Sequence, residues 1–258
     1  MDVQTRLNCV DMGEGEGAPV VFLHGFGGDV SSWLNFQVGL AGSWRSLAFD
    51  LPGHGGSLDY PKTCNAVVAA KAVLDDLEAM GIGKVHLAGH SMGGAAAAVI
   101  ALRRPELVAS LSLLAPGGFG PEINQALLRR YAAQTDEEGL QMVLEQFFGS
   151  EFRLPRAMAG YAAQLRQDPH VCESLKRTAE AILDGKRQKT LPLDELGGLS
   201  LPIKVIWGRQ DRVIPVGQCV GLPAMIAVHI FEKAGHMVHL EASREVLALI
   251  RQSIRSAR

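Results

Sequence analysis

The six residues GHSMGG, at positions 89–94, follow the apolar run KVHLA at 84–88. In a chain with 29 glycines, a G-x-S-x-G pattern arises by chance about 0.2 times, so the pattern alone is weak. Its position is more informative. The apolar run predicts a buried strand, and residues 92–104 predict a helix. A serine placed between strand and helix, with glycine two residues to either side, is typical of a nucleophile exposed on a sharp turn.

Apolar runs that end in Gly or Pro alternate with helical patterns on both sides of this stretch. The predicted strands are PVVFLHG (19–25), SLAFDLPG (46–53), KVHLAGH (84–90), VASLSLLAP (108–116), PIKVIWG (202–208) and AVHIFEKAG (227–235). The predicted helices beside them span about 30–42, 63–80, 92–104 and 241–256. This order predicts an α/β fold, in which a mostly parallel, doubly wound sheet carries helices on both faces.

Between the fourth and fifth predicted strands, helical patterns follow one another and we predict no strand. The patterns are NQALLRRYAAQ, EGLQMVLEQFFG, LPRAMAGYAAQLRQ and CESLKRTAEAILDG. A stretch of this length is neither a loop nor a linker. We therefore expect residues 1–117 and 196–258 to form the core, and residues 118–195 to form a helical cap, or lid, inserted into it.

The composition is that of a globular protein with a sizeable core, since 47% of the 258 residues are hydrophobic and 20% are charged. The formal net charge of −2 gives no basic footprint for nucleic acid. The longest run of small apolar residues, AAAAVIAL, has about half the length of a membrane span. We therefore expect a small-molecule partner, and neither nucleic acid nor a membrane.

The cysteines are Cys9, Cys64, Cys172 and Cys219, and they show neither C-x-x-C nor metal-ligand spacing. Such scattered cysteines indicate reduced thiols rather than a disulfide framework. No signal peptide is evident at the N-terminus. These features predict a cytoplasmic protein, and they leave open whether it forms a homo-oligomer.

A serine hydroxyl is a poor nucleophile at neutral pH, so Ser91 requires a base and an acid that orients the base. Asp211 lies in RQDRVIP, directly after the strand KVIWG, and His236 follows the strand AVHIFEKAG. The carboxyl ends of parallel strands lie at one edge of a sheet, where ligand sites collect. We predict that Ser91, Asp211 and His236 are catalytic. Gly89 and Gly93 support the turn by letting strand and helix approach closely.

A tetrahedral intermediate also requires N–H donors for its oxyanion. The stretch HGFGG, at 24–28, follows the first predicted strand, and its glycines would let a backbone amide point inward. We predict that the amides of Phe26 and Met92 form the oxyanion hole. His24, Gly25 and Gly27 support this loop.

Three other residues compete for these roles, and the serine turn itself could be a mere link between strand and helix. His239 is an alternative base, three residues after His236. Asp50 and Glu232 are alternative acids, although FDLPG around Asp50 is typical of a structural turn. The loop APGGFG after the fourth strand offers no carboxylate. No metal ion and no organic cofactor is required by this chemistry.

Five motifs together resemble the α/β-hydrolase family: HGFGG, DLPGHGGS, GHSMGG, WGRQDRVIP and GHMVHLE. The resemblance spans roughly residues 18–255. It implies the α/β-hydrolase fold, with the nucleophile, acid and base in the chain order Ser91, Asp211, His236.

A closer resemblance rests on LLAPGGFGPEIN, WGRQDRVIP and AGHMVHLE. These stretches are similar to the hydrolase-type domain of acetoin dehydrogenase E2-like acyltransferases and, more distantly, to meta-cleavage product C–C hydrolases. We expect no lipoyl domain before the fold, so swinging-arm acyl transfer is not carried over to this chain. His90 and Met237 stand where C–C hydrolases usually have Asn and Trp, which disfavours C–C cleavage.

The sequence thus predicts a carboxylic ester hydrolase that acts on an ester, thioester or related carbonyl of a small, largely apolar acyl substrate. The alternatives are a C–C bond hydrolase, an acyltransferase, and a non-catalytic binding protein on the same scaffold.

Overall fold

A central seven-stranded sheet organises the protein in a computed structural model, which describes residues 6–257. Its strands are β1 (Cys9–Met12), β2 (Val20–Leu23), β3 (Ser46–Phe49), β4 (Val85–His90), β5 (Val108–Leu114), β8 (Ile203–Gly208) and β9 (Ile226–Phe231). They lie in the order β1-β3-β2-β4-β5-β8-β9. Every neighbouring pair is parallel except β1 and β3. The carboxyl ends of six strands therefore share one edge of the sheet.

Helices cover both faces of the sheet and fill the connection between β5 and β8. The helices are α1 (Leu34–Leu40), α2 (Ala66–Ala79), α3 (Met92–Arg103), α4 (Gln125–Ala133), α5 (Glu137–Leu144), α6 (Arg156–Leu165), α7 (Pro169–Ile182), α8 (Leu193–Gly197), α9 (Val238–Glu241) and α10 (Ser243–Ser256). A two-strand hairpin, β6 (Leu183–Asp184) and β7 (Arg187–Gln188), follows α7. The α/β class and the mostly parallel sheet predicted from the sequence are confirmed.

The core consists of two apolar layers, one on each face of the sheet. Val21 and Leu23 of β2 pack in the layer formed with α2 and α3. Val20 and Phe22 of the same strand pack in the other layer, formed with α1 and α10. Successive side chains of a strand point to opposite faces, so a strand covered on both faces must be apolar throughout. This requirement explains why the predicted strands are continuous apolar runs rather than alternating ones.

Local capping determines where several helices begin. The side chain of Asn65 accepts hydrogen bonds from the amides of Val67 and Val68 at the start of α2. Asn124 caps α4 in the same way through the amide of Leu127. Such caps satisfy N–H groups that have no partner within the helix. Within residues 6–257, no helix combines the length and apolarity that crossing a bilayer requires.

The structure corrects the sequence-based elements at three places. β1 was not predicted, and it adds an antiparallel edge strand to β3. The prediction of no strand within 118–195 is wrong, because β6 and β7 form a short hairpin there. The helix predicted at 30–42 is divided into a 3-10 turn at Val30–Trp33 and α1.

The residues between β5 and β8 form a helical insertion, and this name is used below for residues 115–202. Within it, α4 packs on α7 and α5 packs on α6. Leu127, Leu128 and Tyr131 of α4 are buried and join the core layer that contains α3. The insertion therefore lies on the carboxyl-terminal side of the sheet, above the strand ends.

Candidate active site

Ser91 lies between β4 and α3, in a backbone conformation that L-residues rarely adopt. Its φ is 53° and its ψ is −116°, and such strain collects at functional sites. A Cβ at Gly89 would overlap the carbonyl of Gly93, and a Cβ at Gly93 would overlap the carbonyl of Leu23. The absence of both side chains lets β2, β4 and α3 come as close together as the turn requires.

The end of β5 supports this turn from the side. The amide of Ser91 donates to Leu114 O at 2.9 Å, and the amide of Gly117 donates to Ser91 O at 2.9 Å. Ala115, between them, also has a positive φ, 41°, and its amide donates to Ile206 O at 2.9 Å. Hydrogen bonds that reach from β4 through β5 to β8 thus determine the position of Ser91.

Asp211 and His236 form a buried, directly bonded pair. The distance from His236 Nδ1 to Asp211 Oδ2 is 2.7 Å, and the two side chains are 2% and 0% exposed. Trp207 Nε1 donates to Oδ2 at 2.9 Å, and the amides of Val213 and Ile214 donate to Oδ1 at 2.8 and 2.9 Å. These three donors fix the carboxylate. The imidazole consequently carries its proton on Nδ1 and leaves Nε2 as an acceptor.

Ser91 and His236 line the same cavity. In the part of the chain that the structure describes, neither Ser91 Oγ nor His236 Nε2 has a hydrogen-bond partner. Catalytic hydrogen bonds are often long before substrate binds and tighten in the complex. The hydroxyl and the imidazole thus share one cavity, and no other group in the described residues competes for either.

Two free amides lie beside Ser91. Phe26 and Met92 line a cavity together with Ser91, and neither amide donates to an acceptor within residues 6–257. Met92 is the first residue of α3, where the helix dipole presents its positive end. These N–H groups can stabilise a negatively charged oxygen at Ser91.

The loop that carries Phe26 is held by its neighbours. His24 Nδ1 donates to Gly25 O at 2.8 Å, and His24 Nε2 accepts from the amide of Leu51 at 2.9 Å. This tautomer is neutral, and burial lowers the pKa of His24 to about 4. Gly27 has a φ of 71°, and a Cβ there would overlap Tyr131. His24, Gly25 and Gly27 thus contribute to the shape of this loop.

His90, the residue before Ser91, contacts the His236 loop, and no sequence motif predicts this contact. His90 Nε2 donates to His236 O at 2.9 Å. The two rings are 4.8 Å apart, and a Cβ at Gly25 would lie 2.6 Å from His90 Nδ1. Burial, followed by the neighbouring His239 and His236, holds the pKa of His90 well below its usual range. Because 146 positions separate the donor from the acceptor, no local motif could reveal this contact.

Asp50, an alternative acid, has other partners. Asn8 Nδ2 and the amide of Gly56 donate to Asp50 Oδ2 at 2.7 and 2.8 Å, and the amide of Val30 donates to Oδ1 at 2.7 Å. None of these donors is a histidine. Asp50 therefore connects loops near the strand ends rather than orienting a base.

The other two alternatives, Glu232 and His239, form no hydrogen bond with Asp211 or His236 in the described residues. Glu232 is exposed and pairs with Arg209 at 2.9 Å. His239 Nδ1 has no hydrogen-bond partner within the described residues, and burial lowers the pKa of His239 to about 3. Its ring contacts Trp33 and His90 instead. No group of three His, Cys, Asp or Glu side chains in residues 6–257 is arranged to hold a metal ion.

Two cavities of about 380 Å³ each meet at Ser91, Phe26 and Leu128. The His-side cavity is also lined by Asp29, Tyr131, Met158, Tyr161, Arg166, His236 and His239. The Asp-side cavity is also lined by Val67, Val68, Ala95, Val99, Ile123, Val213 and Ile214. A larger groove of about 580 Å³, lined by Trp44, Lys84 and His86, lies at the opposite end of the strands. That groove is remote from Ser91.

The sheet order, the strained serine turn and the buried Asp–His pair define the class of α/β-hydrolase folds. A family model described as the alpha/beta hydrolase family matches residues 20–249. The chain belongs to this family.

Two curated relatives show what this chain is similar to. It is 38% identical over 240 residues to the dihydrolipoyllysine-residue acetyltransferase component of the acetoin cleaving system of Pseudomonas putida. That alignment covers 93% of this chain and 64% of the relative, so this chain spans less than two thirds of that protein. It is 30% identical over 255 residues to 2-hydroxy-6-oxo-6-phenylhexa-2,4-dienoate hydrolase of Burkholderia cepacia, covering 92% of this chain and 86% of the relative.

Solved structures share the fold. The meta-cleavage product hydrolase of Pseudomonas fluorescens IP01 superposes with a TM-score of 0.86 at 21% identity, over 98% of this chain and 95% of that chain. A bacterial membrane phospholipase A superposes with a TM-score of 0.81 at 26% identity, over 98% and 83%. The predicted resemblance to the α/β-hydrolases, to the acetoin-system component and to the meta-cleavage hydrolases is confirmed.

Proposed function

We propose that this protein is a serine hydrolase that cleaves an ester, thioester or related carbonyl through an acyl-enzyme. The observation that carries the proposal is the 2.7 Å contact between Asp211 and His236, in a cavity that also exposes a strained Ser91. A serine on a strand-to-helix turn, with a base oriented by a buried acid, is the arrangement that activates a hydroxyl.

In the proposed reaction, His236 Nε2 takes the proton of Ser91 while Oγ attacks the substrate carbonyl. Asp211 keeps the imidazole in its tautomer and stabilises its charged form. The amides of Phe26 and Met92 bind the oxyanion, and one such donor contributes about 3–4 kcal/mol to the transition state. His236 then protonates the leaving group. Water, activated by the same ring, hydrolyses the acyl-enzyme.

The two cavities support a small, largely apolar substrate with two parts. The Asp-side cavity is lined mainly by aliphatic side chains such as Val67, Val99 and Ile214, which suit an apolar acyl group. The other part would occupy the His-side cavity, under α6. We propose that the insertion acts as a cap over both cavities, so that the substrate reacts away from bulk water.

C–C bond hydrolysis is the second candidate, and one buried cation favours it. Arg166 lines the His-side cavity and is 6% exposed. It stacks over the Tyr131 ring at 4.6 Å and donates to Ala162 O at 2.9 Å. No carboxylate pairs with it among the described residues. The relative from Burkholderia cepacia is named for a dienoate substrate, and a substrate carboxylate would supply the missing counter-charge.

A fluorophosphonate probe tests the proposed function. The native protein should be labelled on Ser91, and the Ser91→Ala variant should not be labelled. Absent labelling of the native protein, or equal labelling of the variant, would favour a non-catalytic binding protein. Peptide mass spectrometry identifies the labelled residue.

A panel of p-nitrophenyl esters, an acyl-CoA thioester and a meta-cleavage dienoate then separates the reactions. We expect the highest kcat/KM on an ester or thioester with a short apolar acyl group. Faster turnover of the dienoate would establish C–C hydrolysis instead. An acyl product that appears only when a thiol or alcohol is added would establish acyl transfer.

A further inference from the structure

A single carboxylate joins the insertion to the loop of His236. Glu241 lies at the end of α9, five positions after His236, and is half-buried. Its Oε1 accepts the amide of Gly235 at 2.9 Å, and its Oε2 accepts the amide of Gly149 at 2.7 Å. Gly235 precedes His236, whereas Gly149 belongs to the insertion. The two oxygens of one side chain therefore hold two distant segments together.

The insertion lies directly on the backbone of His236 around this carboxylate. Phe147 O accepts the amide of His236 at 2.7 Å and that of Met237 at 3.3 Å. A Cβ at Gly235 would lie 2.6 Å from the carbonyl carbon of Phe148. The insertion and the His236 loop are thus in backbone contact, with no space for a side chain between them.

The loop of Asp211 holds the same part of the insertion from the other side. Arg212 Nη2 donates to Phe148 O at 2.6 Å and to Glu145 O at 3.2 Å. Arg212, next to Asp211, and Glu241, which follows His236, therefore hold residues 145–149 from two sides. This segment is called the clamped segment below.

Glu241 is suited to this task because both of its hydrogen bonds are charge-assisted and therefore stronger than bonds between neutral groups. Burial raises the pKa of Glu241 above its usual value, and the amides of Gly149 and Gly235 offset only part of that rise. Its hydrogen bonds go to amides rather than to the His236 ring. Glu241 therefore acts on the His236 ring through the backbone and through its charge, not through a direct hydrogen bond.

We propose that Glu241 is a positioning residue that sets the place of His236 by joining its loop to the clamped segment of the insertion. This inference rests on the proposed function of His236 as the base. The side chain of Glu241 adds a shared acceptor to the direct backbone contact between the two segments. Removal of the Glu241 carboxylate leaves the N–H groups of Gly149 and Gly235 without their acceptor. The loop of His236 can then shift, and the imidazole moves relative to Ser91.

The informative substitution is Glu241→Gln, because it preserves size and removes one acceptor. The amide oxygen of glutamine can accept from Gly149 or from Gly235, but its NH₂ group would face the other N–H. A displacement of the base of order 1 Å costs up to about 100-fold in rate. We expect kcat on the preferred ester to fall about 10- to 100-fold, with KM changed less than about twofold, since Glu241 lines neither cavity.

Three further variants separate positioning from loss of stability. Glu232→Gln makes the same chemical change on an exposed carboxylate and should retain full kcat. Ile250→Ala removes a buried side chain of α10 and should lower the melting temperature without lowering kcat. Glu241→Asp keeps both acceptor oxygens on a shorter side chain and should recover part of the kcat lost in Glu241→Gln.

Amide exchange, followed by NMR on the complete chain, tests the contact without any substrate. In Glu241→Gln, the amide of Gly149 or of Gly235 that faces the NH₂ group should exchange at least tenfold faster, while amides of β4 keep their rates. Unchanged exchange at both glycines would overturn the proposal. An unchanged kcat, or an equal loss of kcat in Ile250→Ala, would also overturn it. If the native protein fails to label with fluorophosphonate, the proposed function fails, and the exchange result still decides whether Glu241 joins the segments.

Discussion

Two strand ends of this molecule each carry a buried aspartate close to a histidine, and only one of them forms an Asp–His pair. After β3, Asp50 lies near His54, and after β8, Asp211 contacts His236 at 2.7 Å. The oxygens of Asp50 accept three hydrogen bonds, all from groups other than histidine. His54 Nδ1 donates instead to Pro52 O at 3.0 Å.

The number of donors does not distinguish the two carboxylates. Apart from histidine, Asp211 accepts twice on Oδ1 and once on Oδ2, and Asp50 accepts twice on Oδ2 and once on Oδ1. The difference lies in the histidines, since His236 Nδ1 contacts Asp211 Oδ2, whereas His54 Nδ1 donates to the carbonyl of Pro52. A buried Asp beside a His therefore becomes part of a pair only where the loop directs the ring nitrogen at the carboxylate rather than at a nearby carbonyl.

The largest effect is expected from Asp211→Asn. Val213 and Ile214 would still bond to the amide oxygen, so the NH₂ group would face His236 Nδ1. The ring would then carry its proton on Nε2 and could not accept one from Ser91. We expect kcat to fall about 10⁴-fold, measured on the ester preferred by the native protein.

The control for this variant is its fold. The melting temperature and the circular dichroism spectrum of Asp211→Asn should stay close to those of the native protein. A kcat within tenfold of the native value would contradict the role of Asp211.

The matched substitution on the other side, Asp50→Asn, should affect stability instead of catalysis. One carboxylate oxygen becomes an NH₂ group, so the donors of Asn8 and Gly56 or that of Val30 lose their acceptor. An unsatisfied buried donor costs about 1–3 kcal/mol. Urea titration should show the free energy of unfolding reduced by about 2–3 kcal/mol.

Under native conditions, kcat of Asp50→Asn should remain within about threefold of the native value, since Asp50 lies outside both cavities and threefold is under 1 kcal/mol of barrier. A loss of kcat comparable to that of Asp211→Asn, at unchanged stability, would refute the distinction between the two strand ends.

Acid should destabilise the protein through its buried histidines, including the two near Asp50. Burial lowers the pKa of His24 to about 4 and that of His54 to about 3, from about 6.5 in the unfolded chain. The unfolded chain therefore binds more protons below pH 6.5, and stability falls as the pH drops from 6.5 towards 4. Each such histidine contributes a slope of up to about 1.4 kcal/mol per pH unit.

The substitution His54→Asn isolates one of these contributions. Its side-chain amide can still donate to Pro52 O, but it does not titrate. Unfolding free energies measured in urea between pH 7 and pH 4 should show a shallower decline for His54→Asn than for the native protein. Parallel curves would show that His54 is accessible to protons in the folded protein.

The smallest effect is expected from Tyr161→Phe. The Tyr161 hydroxyl donates to Asp29 Oδ2 at 3.0 Å and joins α6 to the loop after β2. This hydrogen bond is exposed to solvent. An exposed hydrogen bond contributes about 1 kcal/mol or less. We expect the melting temperature to fall by a few degrees. We also expect kcat/KM for bulky esters to rise about twofold, because the contact that holds α6 against the loop after β2 contributes less than about 1 kcal/mol.

Steady-state kinetics on a small and a bulky ester check this prediction. The gain should be confined to the bulky ester, since only its entry depends on the separation of α6 from the loop. A loss greater than tenfold on both esters would place Tyr161 in the reaction itself.

The sequence predicted the sheet because its strands are covered on both faces and therefore apolar throughout. β1 escaped prediction because its four residues, CVDM, are only partly buried. The hairpin of β6 and β7 has two residues in each strand, which is too short for any periodicity. The prediction that Ser91, Asp211 and His236 lie at one edge of the sheet needed only their sequence positions, since each follows a strand.

What sequence reasoning missed at the site is the set of contacts made through the backbone. His90 donates to a carbonyl, Phe147 accepts with a carbonyl, and Glu241 accepts from two glycine amides. Carbonyls and amides are the same in every residue, so these contacts leave no trace in residue identity. Only the folded chain brings them together.

The carbonyl of Phe147, which accepts the amide of His236, has a consequence for recombination between relatives. A chimaera that exchanged the whole insertion, residues 115–202, for that of another hydrolase would also replace a hydrogen-bond partner of His236. Substrate preference and the alignment of the base would then change together and could not be selected separately. A graft that keeps residues 145–149 from this chain and exchanges the remaining helices would let new pockets be tried on an unaltered Asp211–His236 pair.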